Sequence, residues 1–79
     1  MVVIVKLFAS LRKYFPEVPL GAGRDVNLES GSTVAQLYEH LGLPEEQIKI
    51  ALVNGLYRER DHVLSDKDEV GIFPPVGGG

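Results

Sequence analysis

Thr33-Val34-Ala35-Gln36-Leu37-Tyr38-Glu39-His40-Leu41-Gly42 is the stretch on which the fold turns. Thr33 and Gln36 stand at the spacing of a capping box, in which the Thr33 hydroxyl accepts from the Gln36 amide while the Gln36 side chain reaches back. Val34, Leu37, Tyr38 and Leu41 then recur on one helical face, and Gly42 supplies the left-handed residue that closes a helix. This predicts one amphipathic helix of about two to three turns. A helix with a single apolar stripe needs a sheet to lie against.

The flanks supply that sheet. Val2 to Phe8, apolar and β-branched apart from Lys6, is expected to form a strand near the sheet centre. Ala9 to Tyr14 changes to helical composition, with Ser10 as its candidate cap and Pro16 limiting it to a short turn. Pro19, Gly21 and Gly23 mark a loop before Asp25 to Glu29, where Val26 and Leu28 alternate with polar residues as in a half-buried strand. The first two strands can pair as an antiparallel hairpin with a long loop. After the helix, Pro44 to Gln47 reads as a brief helical turn beginning at Pro44, and Ile48 to Val53 as a strand ending at the tight-turn dipeptide Asn54-Gly55. Arg58 to His62 is a charged surface stretch, Val63 and Leu64 plug an edge of the core, Ser65 to Asp68 turns, and Val70 to Phe73 is the last strand.

The order is strand, strand, helix, strand, short strand, strand. The economical packing sets the first and last strands side by side in parallel with the helix across them. The expected fold is therefore α+β, a β-grasp or ubiquitin-like mixed sheet of four to five strands. Residues 1–75 form that domain, and residues 76–79 a flexible, projecting glycine tail.

At 79 residues and 8.6 kDa the chain makes one small domain with little room for a deep catalytic cleft. Its net charge of −3 is the reverse of a nucleic-acid footprint, and suits the basic patch of a protein partner better. No apolar run reaches membrane-spanning length and no leader pattern opens the chain, so a cytoplasmic protein without a membrane role is expected. The absence of cysteine removes disulfides, thiolate nucleophiles and side-chain persulfides. His40 and His62 lack partners at ligand spacing, so no metal site is expected and both are read as structural or surface residues. Gly21-Ala22-Gly23-Arg24 has no helix start after it and is a poor phosphate loop. No serine carries the surroundings of an activated nucleophile.

The chemistry is expected at Phe73-Pro74-Pro75-Val76-Gly77-Gly78-Gly79. From Val70 onward no side chain is charged, so the ionised group there is the carboxylate expected on Gly79. A carboxylate resists attack at carbon and must first be activated, most simply as an acyl-adenylate made from ATP. Glycines make a tip thin enough for another enzyme's active site, and Pro74 and Pro75 end the strand ladder and stiffen the base. The competing reading is a frayed end or an expression artefact. Phe8 and Phe73 fit either core packing or an apolar contact patch beside the tail, and Arg12 either a solvated helix residue or the partner of an incoming carboxylate.

Three stretches carry a family resemblance: Leu7-Phe8-Ala9-Ser10-Leu11-Arg12, Asp68-Glu69-Val70, and the Phe73 to Gly79 ending. Together they resemble the MoaD/ThiS family of ubiquitin-like sulfur carriers, nearest its MoaD branch, the small subunits of molybdopterin synthase. The resemblance implies a carrier that is not itself an enzyme. A MoeB-like adenylating enzyme would use ATP on the Gly79 carboxylate, with no cofactor bound permanently by the carrier, and a sulfur donor system would convert it to a thiocarboxylate. The loaded Gly78-Gly79 end would then enter a MoaE-like large subunit for molybdopterin formation. Positions matching Phe8, Arg12 and Phe73, with Pro74, Pro75, Val76 and Gly77, would contact partners. The chain would be a monomer when free and a hetero-oligomer with the large subunit. Lys67 departs from the family, which often has glycine there. The ending also suits a ThiS-like thiamine-pathway or tRNA-thiolation carrier, or a modifier joined to lysines through Gly79.

Overall fold

Burial alternates along Val2–Leu7, strand β1: Val3, Val5 and Leu7 are sealed, while Val2, Ile4 and Lys6 are only partly covered. A strand with one face on a core shows this period of two. The computed structural model describes residues 1–75. The expected tail, with the predicted site residues Val76, Gly77, Gly78 and Gly79, lies outside the described residues.

A 3-10 turn, Ala9–Tyr14, follows β1. Ser10 does not cap it: Phe8 occupies the cap position with no side-chain hydrogen bond, and the chain bends through Ala9 at φ 52. The fully buried Leu11 anchors the turn, and its amide donates to the Phe8 carbonyl at 3.1 Å. Strand β2, Arg24–Asn27, pairs antiparallel with β1, setting Val3 opposite Val26.

Helix α1, Val34–Leu41, has the predicted capping box. The Gln36 amide donates to Thr33 Oγ1 at 3.2 Å, and the Thr33 amide to Gln36 Oε1 at 2.8 Å. Gly42 closes the helix at φ 69. The charged stretch from Arg58 to His62 has an unforeseen part here: the amides of Val34 and Ala35 donate to the carbonyls of His62 and Arg60 at 3.0 and 2.8 Å. Its backbone thus satisfies helix-start donors that the box leaves open.

A second 3-10 turn, Glu45–Gln47, uses Pro44 as its cap instead of its first residue. The Ile48 amide donates to the Glu45 carbonyl, which holds Ile48 in that turn, and β3 therefore starts later than expected, as Ile50–Val53. Asn54 and Gly55, at φ 53 and 83, form the tight turn into β4, Leu56–Arg58. Both central residues are left-handed, as a type I′ hairpin requires. Strand β5, Glu69–Phe73, completes a sheet of order β2-β1-β5-β3-β4. β5 runs parallel to β1 and antiparallel to β3, so this is the β-grasp arrangement.

One face of the sheet holds the core. Val3, Val5, Val70 and Ile72 join Val34 and Leu37 of the helix in a single buried cluster. Leu64 plugs its edge as expected, whereas Val63 remains exposed. Truncating a side chain as enclosed as Leu37 to alanine costs roughly 2–5 kcal/mol. Among the described residues no helix is long and apolar enough to cross a membrane.

Candidate docking face and tail base

The parallel pairing of β1 and β5 builds the site. Leu7 stands opposite Ile72, both pointing into the core, so the following residues, Phe8 and Phe73, emerge together on the opposite, helix-free face. The Phe8 amide donates to the Ile72 carbonyl at 3.2 Å and extends the ladder to this point. The two rings stack with centroids 4.3 Å apart and planes within 2°. Both residues are half-buried. They are therefore an apolar patch on the open face and take no part in the buried core cluster.

Gly71 makes that pair possible. A Cβ placed there would lie 3.2 Å from Phe8 Cε2 and 3.5 Å from Phe73 Cε1. The rings occupy the space above a strand position that has no side chain. Lys6 on β1 and Leu52 on β3 flank the same glycine. With Phe8 and Phe73 they line an open groove of about 430 Å³. On the far side of Phe73, Ile50 is its strand partner, and the Lys49 amide donates to the Phe73 carbonyl at 2.8 Å. Gly23 has a similar part under Ile4, whose Cγ2 is 2.5 Å from where a Cβ would stand.

Pro74 is half-buried and Pro75 exposed, directly after the last ladder residue. Neither has an amide hydrogen, so the chain leaves the sheet here. Arg12 is not brought against the aromatic pair. It is exposed on the 3-10 turn and lines a separate crevice with Leu7, Phe15 and Val18. Its carbonyl accepts from the Phe15 amide at 3.0 Å, and no ion pair among the described residues engages its guanidinium.

Gly71, Lys6, Leu52 and Ile50 escaped the sequence reading, although a signal was present. Val2-Val3-Ile4-Val5 and Ile50-Ala51-Leu52-Val53 are apolar at both parities, which marks strands whose second face also carries contact-forming side chains. His62 acts through its backbone carbonyl at the helix start, His40 is exposed on the last helical turn, and no group of three or more histidine and carboxylate side chains among the described residues could hold a metal. On the helix, burial, then the negative charge of Glu45, pushes the Tyr38 phenol up to about 12.

A five-stranded mixed sheet with one main helix across it is the β-grasp, the fold of the ubiquitin-like proteins. The chain belongs to the ThiS family, whose model matches residues 5–79. Members of that family are ubiquitin-like sulfur carriers. Among solved structures it is similar to a candidate molybdopterin converting factor, subunit 1, from Pyrococcus furiosus, with 28% identity, 96% of this chain and 99% of that one covered, and a TM-score of 0.75. It is also similar to SAMP1 from Haloferax volcanii, with 25% identity, both chains fully covered and a TM-score of 0.72. The HVO 2177 protein of the same organism shares the fold, with 24% identity, 100% of this chain and 87% of that one covered, and a TM-score of 0.78. A comparison with curated proteins returns no significant match.

Proposed function

We propose that this chain carries sulfur on the carboxyl of Gly79 and supplies it to molybdopterin formation as the small subunit of a synthase. An adenylating enzyme joins a carboxylate oxygen to the α-phosphorus of ATP, and pyrophosphate leaves. Hydrosulfide from the donor system then attacks the acyl carbon, the C–S bond forming as the C–O bond to AMP breaks, and loss of the sulfur-bound proton leaves a thiocarboxylate. The body presents the tail; the catalytic groups belong to the partners. Phe8, Phe73, Pro74 and Pro75 seat the body against each partner, Arg12 meets a carboxylate from the separate crevice it lines, and Val76 to Gly79 enter the active site.

The observation that carries this reading is the stacked Phe8–Phe73 pair held by Gly71 on the helix-free face. Half-buried, stacked aromatic surface on an open face is the kind that anchors interfaces, and it stands where the last strand ends ahead of the family's reactive end. The 28% identity to the Pyrococcus furiosus protein across nearly all of both chains favours the molybdopterin pathway. The full-length likeness to SAMP1, a small archaeal modifier protein of Haloferax volcanii, supports a second reading as a lysine-linked modifier.

The test is to incubate the full chain with its host's adenylating enzyme, ATP and a sulfur source, and to measure intact mass. Replacement of one C-terminal oxygen by sulfur is expected, and its loss on deletion of Gly79 with the melting temperature unchanged. No exchange in the intact chain refutes the carrier reading. Branched, glycine-bearing lysine peptides in cell digests would favour the modifier reading.

A further inference from the structure

We infer that the end of the body from which the tail departs is a cationic collar that seats on an acidic rim of the partner protein; this deepens the carrier reading and rests on it. The segments meeting at the C-terminal ends of β1 and β5 carry Lys6, Arg12, Lys13 and Lys49. Lys6 stands opposite Gly71 and lines the groove with Phe8 and Phe73. Arg12 and Lys13 occupy the last turn of the 3-10 segment that follows Phe8. Lys49 is tied to Phe73 through its amide. The last three are exposed, and Lys6 is half-buried.

Lys13 Nζ stands over the Tyr14 ring, 5.6 Å from its centroid, but ion pairing among the described residues does not explain the arrangement. The ion pairs among the described residues are Arg24–Glu17 and Arg60–Glu45, and neither engages any of the four. On the adjoining 3-10 turn stand Glu45, already taken by Arg60, and Glu46. The opposite end of the same strands has the reverse sign. There Asp66 accepts from the Val2 amide at 2.8 Å and Asp68 bonds Asn54, with Lys67 as the local cation, and Glu69, opposite Ile4, stands at the acidic end of the groove that Lys6 lines. In a chain of net charge −3, four of the eight lysines and arginines thus stand on the segments that meet where β1 and β5 end.

Like charges gathered on one surface repel and contribute nothing to the fold. Against a partner rim of opposite sign they steer encounter and set orientation, here with the tail leading. A polyphosphate ligand fits less well, because Lys6 and Lys49 flank an apolar stacked pair and Glu69 lines the same groove as Lys6.

The experiment uses the full chain and its host's adenylating enzyme, with association followed by stopped-flow fluorescence. At about 50 mM salt, a chain carrying Lys6→Glu, Arg12→Glu and Lys49→Glu is expected to associate at least about tenfold more slowly than wild type, and the gap to shrink at about 500 mM. Lys67→Glu, at the opposite end, should associate as wild type does. Melting curves verify that the triple variant folds; the exposed single substitution Lys49→Glu, expected to act in the same direction, serves if it does not. Equal rates for collar and Lys67 variants, or a gap indifferent to salt, overturn the inference, as does a wild-type chain that does not bind the enzyme. Wild-type binding to single-stranded RNA that the triple variant loses overturns it in favour of a nucleic acid. Salt-dependent enzyme binding without any thiocarboxylate leaves the collar standing and refutes the sulfur chemistry alone.

Discussion

Replacing Gly71 by valine separates the aromatic face from the core. Even a bare Cβ at that position would sit 3.2 Å from Phe8 Cε2, tighter than ordinary carbon contact, and the valine methyls extend into the space of both rings. The stack must open. Stacking at 4.3 Å is worth about 0.5–1.5 kcal/mol, while removing a glycine from a strand interior returns roughly 0.5–1 kcal/mol. These terms nearly cancel, so stability should change by about 1 kcal/mol or less. For a domain of this size that is a melting shift of at most about 4–8 °C. An aromatic hot spot at an interface is worth about 2 kcal/mol or more, so affinity for the adenylating enzyme should fall about 30-fold. Calorimetric titration and thermal unfolding on the same samples decide it. Unchanged affinity would refute the docking role of the pair, and a collapse of thermal stability would show that the rings act as core.

Three further outcomes follow from the body. Thr33→Ala removes one half of the capping box and should cost about 1 kcal/mol, seen as a lower urea midpoint with an unchanged slope. Lys67 lies at φ 73, where a side chain costs about 1–2 kcal/mol, and glycine gives back part of that in backbone entropy; Lys67→Gly should raise the melting temperature by a few degrees. Tyr38 holds its proton to about pH 12 in the folded chain and to about 10 unfolded. Between those values the native state binds more protons, so stability falls as pH rises from about 10 toward 12. Tyr38→Phe should flatten that alkaline decline in a denaturation series.

Lys67 also joins the two levels of reading. The sequence marks it as a departure from a family that often has glycine there, and the backbone supplies the reason, since the turn adopts the left-handed conformation at that residue. Ser10 shows the opposite case. A serine ahead of helical composition reads as a cap, but the turn is held by the buried Leu11 and entered through a left-handed Ala9. Packing outweighed a local hydrogen bond worth about 1 kcal/mol.

The sequence by itself determined the elements that depend on neighbours a few residues away. Helix α1 with its box and glycine, the Asn54-Gly55 hairpin and the diproline strand end follow from spacing and backbone chemistry alone. The parallel placement of β1 beside β5 followed from having only one helix to cover a sheet. Only the tertiary structure decided what the helix-free face presents. Phe8 and Phe73 are 65 positions apart in the chain (73 minus 8), and their stacking depends on a register that sets Leu7 opposite Ile72 and leaves Gly71 beneath the rings. Register is a property of two strands at once, because a slip of one residue in β5 would turn Phe73 into the core and part it from Phe8. The same pairing gathers Lys6, Arg12 and Lys49 at one end of the body, though nothing in their sequence positions relates them.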